Sequence, residues 1–211
     1  LDDLYDELLM FAGFATVGDV MDLTGENRIL VREGLKRLQK TTHPGMSALI
    51  EANELARDTL SAFHIGFVLG PCINASGRLD TAKRALELLK TTDYEKALVK
   101  AAELKALNDE RKSMTDDGVQ QALDQIENSD MKGDRVLVIY LPDCHESLAG
   151  IIAGRIRERY YRPVFVLTRS QDGVKGSGRS IETYSMFEEM SKCKELYTKY
   201  GGHPMAAGVS M

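Results

Sequence analysis

From Tyr94 to Ile126 the chain contains no proline and a single glycine, Gly118, before Asn128-Ser129-Asp130 can stop a helix. Positions Leu98, Ala101, Leu104, Leu107, Arg111, Met114, Gly118, Ala122 and Ile126 recur at a mean spacing of about 3.5 residues, the period of a helix. Such a segment predicts one helix about 50 Å long at ~1.5 Å per residue. Its stripe is thin, interrupted at Arg111 and Gly118, and its other faces are polar. A helix so long and so polar bridges bodies instead of filling one core. The expected organisation is therefore residues 1–93, a connecting helix over 94–130, and a separate domain over 131–211.

The two flanks differ in pattern. Leu1, Leu4, Leu8, Leu9 and Phe11 have helical spacing and the start carries no cap, so it reads as cut, as does the end, where Ala206–Met211 reads as a strand entering a sheet. Asn27 is placed to cap a helix reaching Lys40, His43-Pro44-Gly45 breaks it, and a further helix runs through Leu49–Leu55. Phe63–Leu69 is apolar and ambiguous. Gly70-Pro71 predicts a stop, followed by a polar loop at Asn74, Ser76 and Gly77, and Ala82–Leu89 returns to helix. Beyond the long helix the types alternate. Arg135–Leu141 reads as a buried strand, and Asp143 with Glu146 as a capping box opening a helix that buries Leu148, Ile151, Ile152 and Ile156. Pro163–Leu167 follows as a strand parallel to the first, by the crossover rule. A glycine-rich turn, a helix near Phe187–Tyr197, a Gly201-Gly202 stop and a last strand over Ala206–Met211 complete the pattern. The expected class is α/β: a helical first part, the long helix, then a small α/β domain with a mixed sheet.

The 211 residues carry 27 Lys+Arg against 32 Asp+Glu, a formal charge of −5, and 43% are hydrophobic, too apolar for a disordered chain. The charge is uneven: residues 1–130 sum to −8 and residues 131–211 to +3. That split is compatible with an acidic function on one part and an anion-binding one on the other. Three cysteines, Cys72, Cys144 and Cys193, are too few and scattered for a disulfide framework or a cysteine-rich zinc site, which points to a reducing, cytoplasmic compartment. No apolar run approaches the ~20 residues that span a bilayer. The acidic opening LDDLYDELL fits neither a signal nor a transit peptide.

Five short motifs carry candidate chemistry. Asp19 and Asp22 follow an apolar stretch, where carboxylates hold Mg2+ or Mn2+, although from spacing alone loop or cap roles are the better account. In Gly70–Leu79, Asn74 and Arg78 flank small residues that let a phosphate approach, or they simply belong to a turn. In Lys175–Ser180, backbone N–H groups can form an anion-binding nest, with Ser177, Gly178, Arg179 and Ser180 around the anion. A hairpin turn is the plain alternative. In Tyr200–Gly208, Gly201 and Gly202 expose backbone donors beside His203, which suits contact with a phosphate or a leaving oxygen; a lone histidine after a helix stop is more often structural. Lastly, Arg155, Arg157, Arg159, Arg162 and Arg169 form a cationic run near Tyr160 and Tyr161, while His145 beside Glu146 is either a site pair or a pair of first-turn residues.

In order, the segments ATVGDVMDL, ENRILVREGL, GPCINASGRLD, LNDER, HESLAGIIAGRIRERYYRPVFVL, GSGRSI and GGHPMAAG resemble the RecJ single-stranded-DNA exonucleases of the DHH phosphoesterase superfamily, from about Phe11 to the end. The resemblance implies a 5′→3′ exonuclease of DNA repair and recombination with a two-metal site for Mn2+ or Mg2+. It also implies a DHH catalytic domain joined by a long helix to a DHH-associated, nucleic-acid-binding domain. By the same resemblance Asp19 is a metal ligand and Asp22 is not. Ser177, Gly178, Arg179 and Ser180, with Gly201 and Gly202, hold phosphate, His203 lies near the scissile phosphate, and Asn74 and Arg78 border the site. Single-stranded DNA is the implied partner, with a single-strand-binding protein or a helicase by analogy and no membrane. Two departures stand out. Cys72 occupies a place where the family often has arginine, and the family's D-x-D and D-H-H metal motifs are missing. The chain therefore reads as the end of the catalytic domain plus the associated domain, and this polypeptide alone is expected to be inactive. The alternatives are a small-substrate DHH phosphoesterase, acting on short oligoribonucleotides or nucleotide phosphates, and a non-catalytic nucleic-acid-binding module.

Overall fold

Two glycines set how the first helices meet. In a computed structural model, which describes residues 2–211, α1 (Asp2–Gly18) and α2 (Gly25–Gln39) pack with Gly13 and Gly34 face to face. A Cβ on Gly13 would stand 2.8 Å from the Leu30 carbonyl oxygen, and one on Gly34 2.8 Å from that of Leu9. Leu1, counted in the first apolar pattern, lies outside the described residues. Asn27 does not cap α2. Thr24 occupies that position, and Asn27 sits in the first turn with its amide donating to the Asp22 carbonyl at 3.0 Å.

α3 (Pro44–Ala52) is buried on all sides, as its run of Met46, Ala48, Leu49 and Ile50 requires. Pro44 opens it without losing a helical hydrogen bond, and the His43 Nδ1 accepts from the Met46 N–H at 3.2 Å. The predicted stop at Gly70-Pro71 is not a stop. A short turn, α4 (Ala62–His64), widens into a π-helical turn over Ile65–Leu69 and continues as α5 (Gly70–Leu79). Proline disrupts a regular helix by lacking an N–H and by crowding the carbonyl four residues back; a π turn changes the hydrogen-bond frame just before it and relieves both demands. Gly70 serves the same passage, since a Cβ there would lie 2.7 Å from the Ile65 oxygen. Asn74 and Arg78 are therefore helical, one turn apart on the exposed side of α5, and not in a loop.

After α6 (Lys83–Lys90) comes α7 (Tyr94–Glu127), an uninterrupted helix of 34 residues. The chain divides into two compact units, one ending at Glu110 and the other spanning Arg111–Met211, so the division falls inside α7. Its first half buries Ala97, Ala101 and Leu104 in the first core with Leu49, Leu69 and Leu88. Its second half buries Ala122, Leu123 and Ile126 in the second core. The predicted interruption at Gly118 is a contact point, where a Cβ would meet the Ile152 Cδ1 at 2.5 Å.

The second unit is built on five strands in the order β1-β2-β3-β5-β4: β1 (Leu137–Tyr140), β2 (Val164–Ser170), β3 (Gly173–Arg179), β4 (Lys199–His203) and β5 (Ala206–Ser210). β1 and β2 are parallel, joined through α8 (Ala149–Tyr160), and every other pairing is antiparallel. One face buries Leu137, Ile139, Val164 and Val166 with Ile152 and Ile156 of α8. The opposite face packs Phe165, Ala207 and Val209 against Met186 and Met190 of α9 (Met186–Ser191). The helix predicted near 187–197 ends at Ser191 and is followed by a 3-10 turn over Lys194–Leu196.

Three further expectations are corrected. Lys175–Arg179 is an inner strand paired on both sides, so its backbone N–H groups serve the sheet and form no anion nest. Gly201 and Gly202 lie within β4 and stop no helix; β4 returns into β5 through Pro204-Met205. The Asp143/Glu146 capping box is absent. His145 caps the 3-10 turn Glu146–Leu148 that leads into α8, its Nδ1 accepting from the Ser147 N–H at 3.3 Å. Asp143 pairs with Arg169 at 3.1 Å and Glu146 with Lys175 at 2.7 Å.

Candidate nucleic-acid interface

Side chains alternate between the faces of a sheet, so the glycine-rich strands divide their motif residues between two environments. The register aligns Lys175 with Ser210 and Lys199, Ser177 with Gly208 and Gly201, and Arg179 with Ala206 and His203. These three rows share the face on which Val164 and Val166 meet α8. Beyond the cover of α8 the face is floored by Ala206, Gly208 and Gly201 and bordered by Arg179, Lys175, Lys199 and His203. A groove of about 520 Å³ on this face is lined by Gly201, Gly208, Lys175, Lys199 and Ser210, with Tyr200, Val209 and Ser147 around it, and Ser177, Arg179 and His203 lie on the same face next to it.

The intervening residues turn the other way. A Cβ on Gly178 would meet the Met186 Sδ at 2.4 Å, and one on Gly202 would stand 2.4 Å from the Ala206 oxygen. Ser180, just past β3, is 0% exposed, and its hydroxyl donates to the Tyr184 carbonyl at 2.6 Å. Of the residues singled out from sequence, Ser177, Arg179, Gly201 and His203 share the groove face, Gly178 and Ser180 are buried behind it, and Gly202 faces the other side of the edge strand.

Arg179 is positioned by glycines on the facing helix. Its stem passes Gly154, 4.0 Å from the Cβ that residue lacks, and its Nη2 lies 2.7 Å from where a Cβ of Gly150 would be. The Nη1 donates to the Gly178 carbonyl at 2.8 Å. His203 is exposed at the end of β4, and its Nδ1 accepts from the Met205 N–H at 3.3 Å. That bond leaves the ring proton on Nε2, a donor available to an oxygen outside the protein. The face thus offers donors of three kinds, the Arg179 guanidinium, the Ser177 hydroxyl and the His203 imidazole, beside the small residues Gly201, Ala206 and Gly208. Phosphate oxygens flanked by close-lying sugar fit such a surface.

Most of the cationic run around α8 is held by partners in its own unit. Arg155 pairs with Asp116, Arg157 with Glu158, and Arg162 donates to the carbonyls of Lys132 and Asp134 at 2.8 and 2.9 Å. Tyr160 packs on the second core with its hydroxyl on Glu127, and burial with that partner raises its pKa. Tyr161 is the left-handed residue that ends α8. His145 lines a larger cleft of about 1050 Å³ beside the groove.

Residues 133–211 match the DHHA1 domain family. Along 97% of its length the chain is 40% identical to the single-stranded-DNA-specific exonuclease RecJ of Escherichia coli, and along all of it 35% identical to that of Bacillus subtilis. The chain is thus similar to RecJ along nearly all of its own length. It spans 37% of the Escherichia coli protein and 27% of the Bacillus subtilis one. Two solved structures of RecJ from Thermus thermophilus, one in complex with Mg2+ and one with Mn2+, superpose with TM-scores of 0.84 and 0.85 at 34% and 35% identity. Each match covers 96% of this chain, and 32% and 30% of the solved chains.

Divalent ions in those relatives make the first unit's acidic residues the ones to test. Asp19 lies in the turn after α1, exposed, in a cleft of about 310 Å³ that it shares with Asn74, Phe14 and Ile73. One carboxylate and one amide fall short of the oxygen-rich shell that Mg2+ or Mn2+ takes. Among the described residues no group of three His, Cys, Asp or Glu is placed to hold a metal. The described residues therefore do not fit a metal pair. Asp22 accepts the Asn27 amide on its carbonyl.

Residues the motif reading left unassigned also belong to the groove: Lys199, Ser210 and Gly208 from the register, and Ser147 from the wall. Carrying the two-residue alternation through VKGSGR and KYGGH would have found the first of these, because Lys199 is in phase with Gly201 and His203. In the first unit, Phe63 and Phe67 stack with centroids 5.0 Å apart and stand exposed just before α5, a surface on which bases can stack. No helix among the described residues is long and apolar enough to cross a membrane.

Proposed function

We propose that this chain is the strand-holding part of a metal-dependent exonuclease that degrades single-stranded DNA 5′→3′ in the cytoplasm, during repair and recombination. The observation that carries this reading is the alignment of Arg179, Ser177 and Lys175 on β3 with His203, Gly201 and Lys199 on β4, across the small residues of β5. Arg179 grips one phosphate in a fork, Ser177 and the His203 Nε2 donate to phosphate oxygens, and the floor admits the sugar. None of these groups reads a base, so little sequence preference is expected. Asp19, Asn74 and Arg78 contribute from the first unit, Asp19 as one metal ligand among others that the described residues do not supply. The relatives' Mg2+ and Mn2+ complexes support a divalent requirement. Such ions activate water and offset charge on the leaving oxygen when both are held.

The test offers the intact protein, with Mn2+, 5′-phosphorylated single-stranded DNA, duplex DNA, RNA and a dinucleotide. Stepwise release of mononucleotides from the single strand is the expected result. Action confined to the dinucleotide would replace this reading with the small-substrate phosphoesterase. In parallel, the 211-residue polypeptide is expected to bind the strand without cutting it, and cleavage by it would refute the shortage of metal ligands.

A further inference from the structure

The 520 Å³ groove and the larger cleft of about 1050 Å³ are not separate features, because both are lined by Glu146, Lys175, Lys199 and Ser210. Those residues form the neck where one passes into the other. The register places Lys175 and Lys199 on either side of Ser210, on the same face as Arg179 and His203. Four residues of strand separate Lys175 from Arg179, about 13 Å at ~3.3 Å per residue. One phosphate cannot reach both rows, whereas a strand a few nucleotides long can.

We propose that Lys175 and Lys199 form a second phosphate subsite, through which a single strand held by Arg179 and His203 passes from the glycine-floored groove into the larger cleft. This rests on the single-strand reading above and adds a path to it. The neck carries its own counter-ion. Glu146 holds the Lys175 ammonium at 2.7 Å, so an arriving phosphate exchanges with a carboxylate already in place. Lys199 makes no ion pair among the described residues. Past the neck, Arg169 is likewise held by Asp143, and Thr198 and Gln171 add neutral donors. Cations paired in this way hold a backbone without trapping it, which suits a strand that must advance after each cut. Edge strands also carry lysines merely to prevent sheet-to-sheet pairing, and Lys199 sits on edge strand β4. That plainer role predicts no dependence on nucleic acid.

The experiment measures fluorescence anisotropy of the intact protein with oligo-dT of two and ten nucleotides, in chelator so that nothing is cut, over a range of salt. Lys199→Gln is expected to weaken decamer binding about three- to tenfold and to lower the salt slope by about 0.7, one released counter-ion on a single strand. Dinucleotide binding is expected to be unchanged, and Lys199→Arg to restore the decamer. Lys175→Gln should act in the same direction, and Glu146→Gln should tighten the decamer only. An unaltered decamer affinity and slope in Lys199→Gln, or equal losses on both lengths, would overturn the subsite. If Arg179→Ala weakens binding while the lysine variants do not, the subsite alone is wrong. If the unaltered protein binds neither oligonucleotide, the single-strand reading fails and the subsite with it.

Discussion

Replacing Gly150 with alanine separates the stability of the fold from the placement of its principal phosphate-binding group. The added Cβ would fall 2.7 Å from the Nη2 and 3.2 Å from the Cζ of Arg179, with nothing else among its three nearest atoms. The crowded group is the tip of a flexible side chain, so it swings aside at little cost to packing. Gly150 is the second residue of α8, where alanine gains up to about 1 kcal/mol in helix propensity. The helix gain is set against the loss of the Arg179 bond to the Gly178 carbonyl, so the variant is expected to stay within about 1 kcal/mol of the parent in urea melts. Its displaced guanidinium loses a charge-assisted bond to phosphate worth about 1.5–3 kcal/mol. That corresponds to roughly 10- to 150-fold weaker binding of oligo-dT. Anisotropy titrations at several salt concentrations, run beside urea melts, read both effects. In an Arg179→Ala background the substitution should add nothing, because the group it displaces is already gone. A stable Gly150→Ala protein with unchanged affinity would show that Arg179 does not hold the strand from the position the glycine allows.

Gly201 and Gly202 are neighbours with opposite expectations. A Cβ on Gly201 meets nothing within 4 Å, so Gly201→Ala should stay within about 0.5 kcal/mol in stability and lose strand affinity by filling the groove floor. Gly202→Ala would push into the backbone of Ala206 and Ala207 and should cost about 1–3 kcal/mol in urea melts. Ser180→Ala leaves the Tyr184 carbonyl without its buried donor and should lower stability by about 1–3 kcal/mol while oligo-dT affinity holds, measured by the same pair of assays. Burial, then the contact with Cys193, pushes the Tyr197 phenol up to about 12. Between its ordinary value of about 10 and that point, the unfolded chain has released a proton that the folded one keeps, so stability falls as pH rises through this window. Urea midpoints from about pH 9 to about pH 12 should show the decline, and Tyr197→Phe should make it shallower.

Long-period features were legible from the chain alone. Tyr94–Glu127 could be read as one helix because, within it, neither proline nor a second glycine interrupts a pattern of about 3.6 residues. The parallel pair β1 and β2 followed from two apolar runs joined by a helix. Short glycine-rich segments were misread. GSGRS and GGH lack the apolar alternation that marks a strand, and they form strands because β2 and β5 supply the hydrogen bonds. GPCINASGRL contains the residues of a turn and is a helix because a π turn precedes it.

By itself the sequence determined which chemical groups are present: Ser177, Arg179, Gly201 and His203, in motifs that resemble those of the RecJ exonucleases. Local spacing and residue type carry that information. Which of those groups face a common ligand was decided only by tertiary structure. Pairing in the sheet puts Lys199 in line with Lys175, and Arg179 with His203, across a distance in sequence that no local pattern spans. The same pairing turns Gly178, Ser180 and Gly202 away from the groove, because adjacent residues of a strand must point to opposite faces.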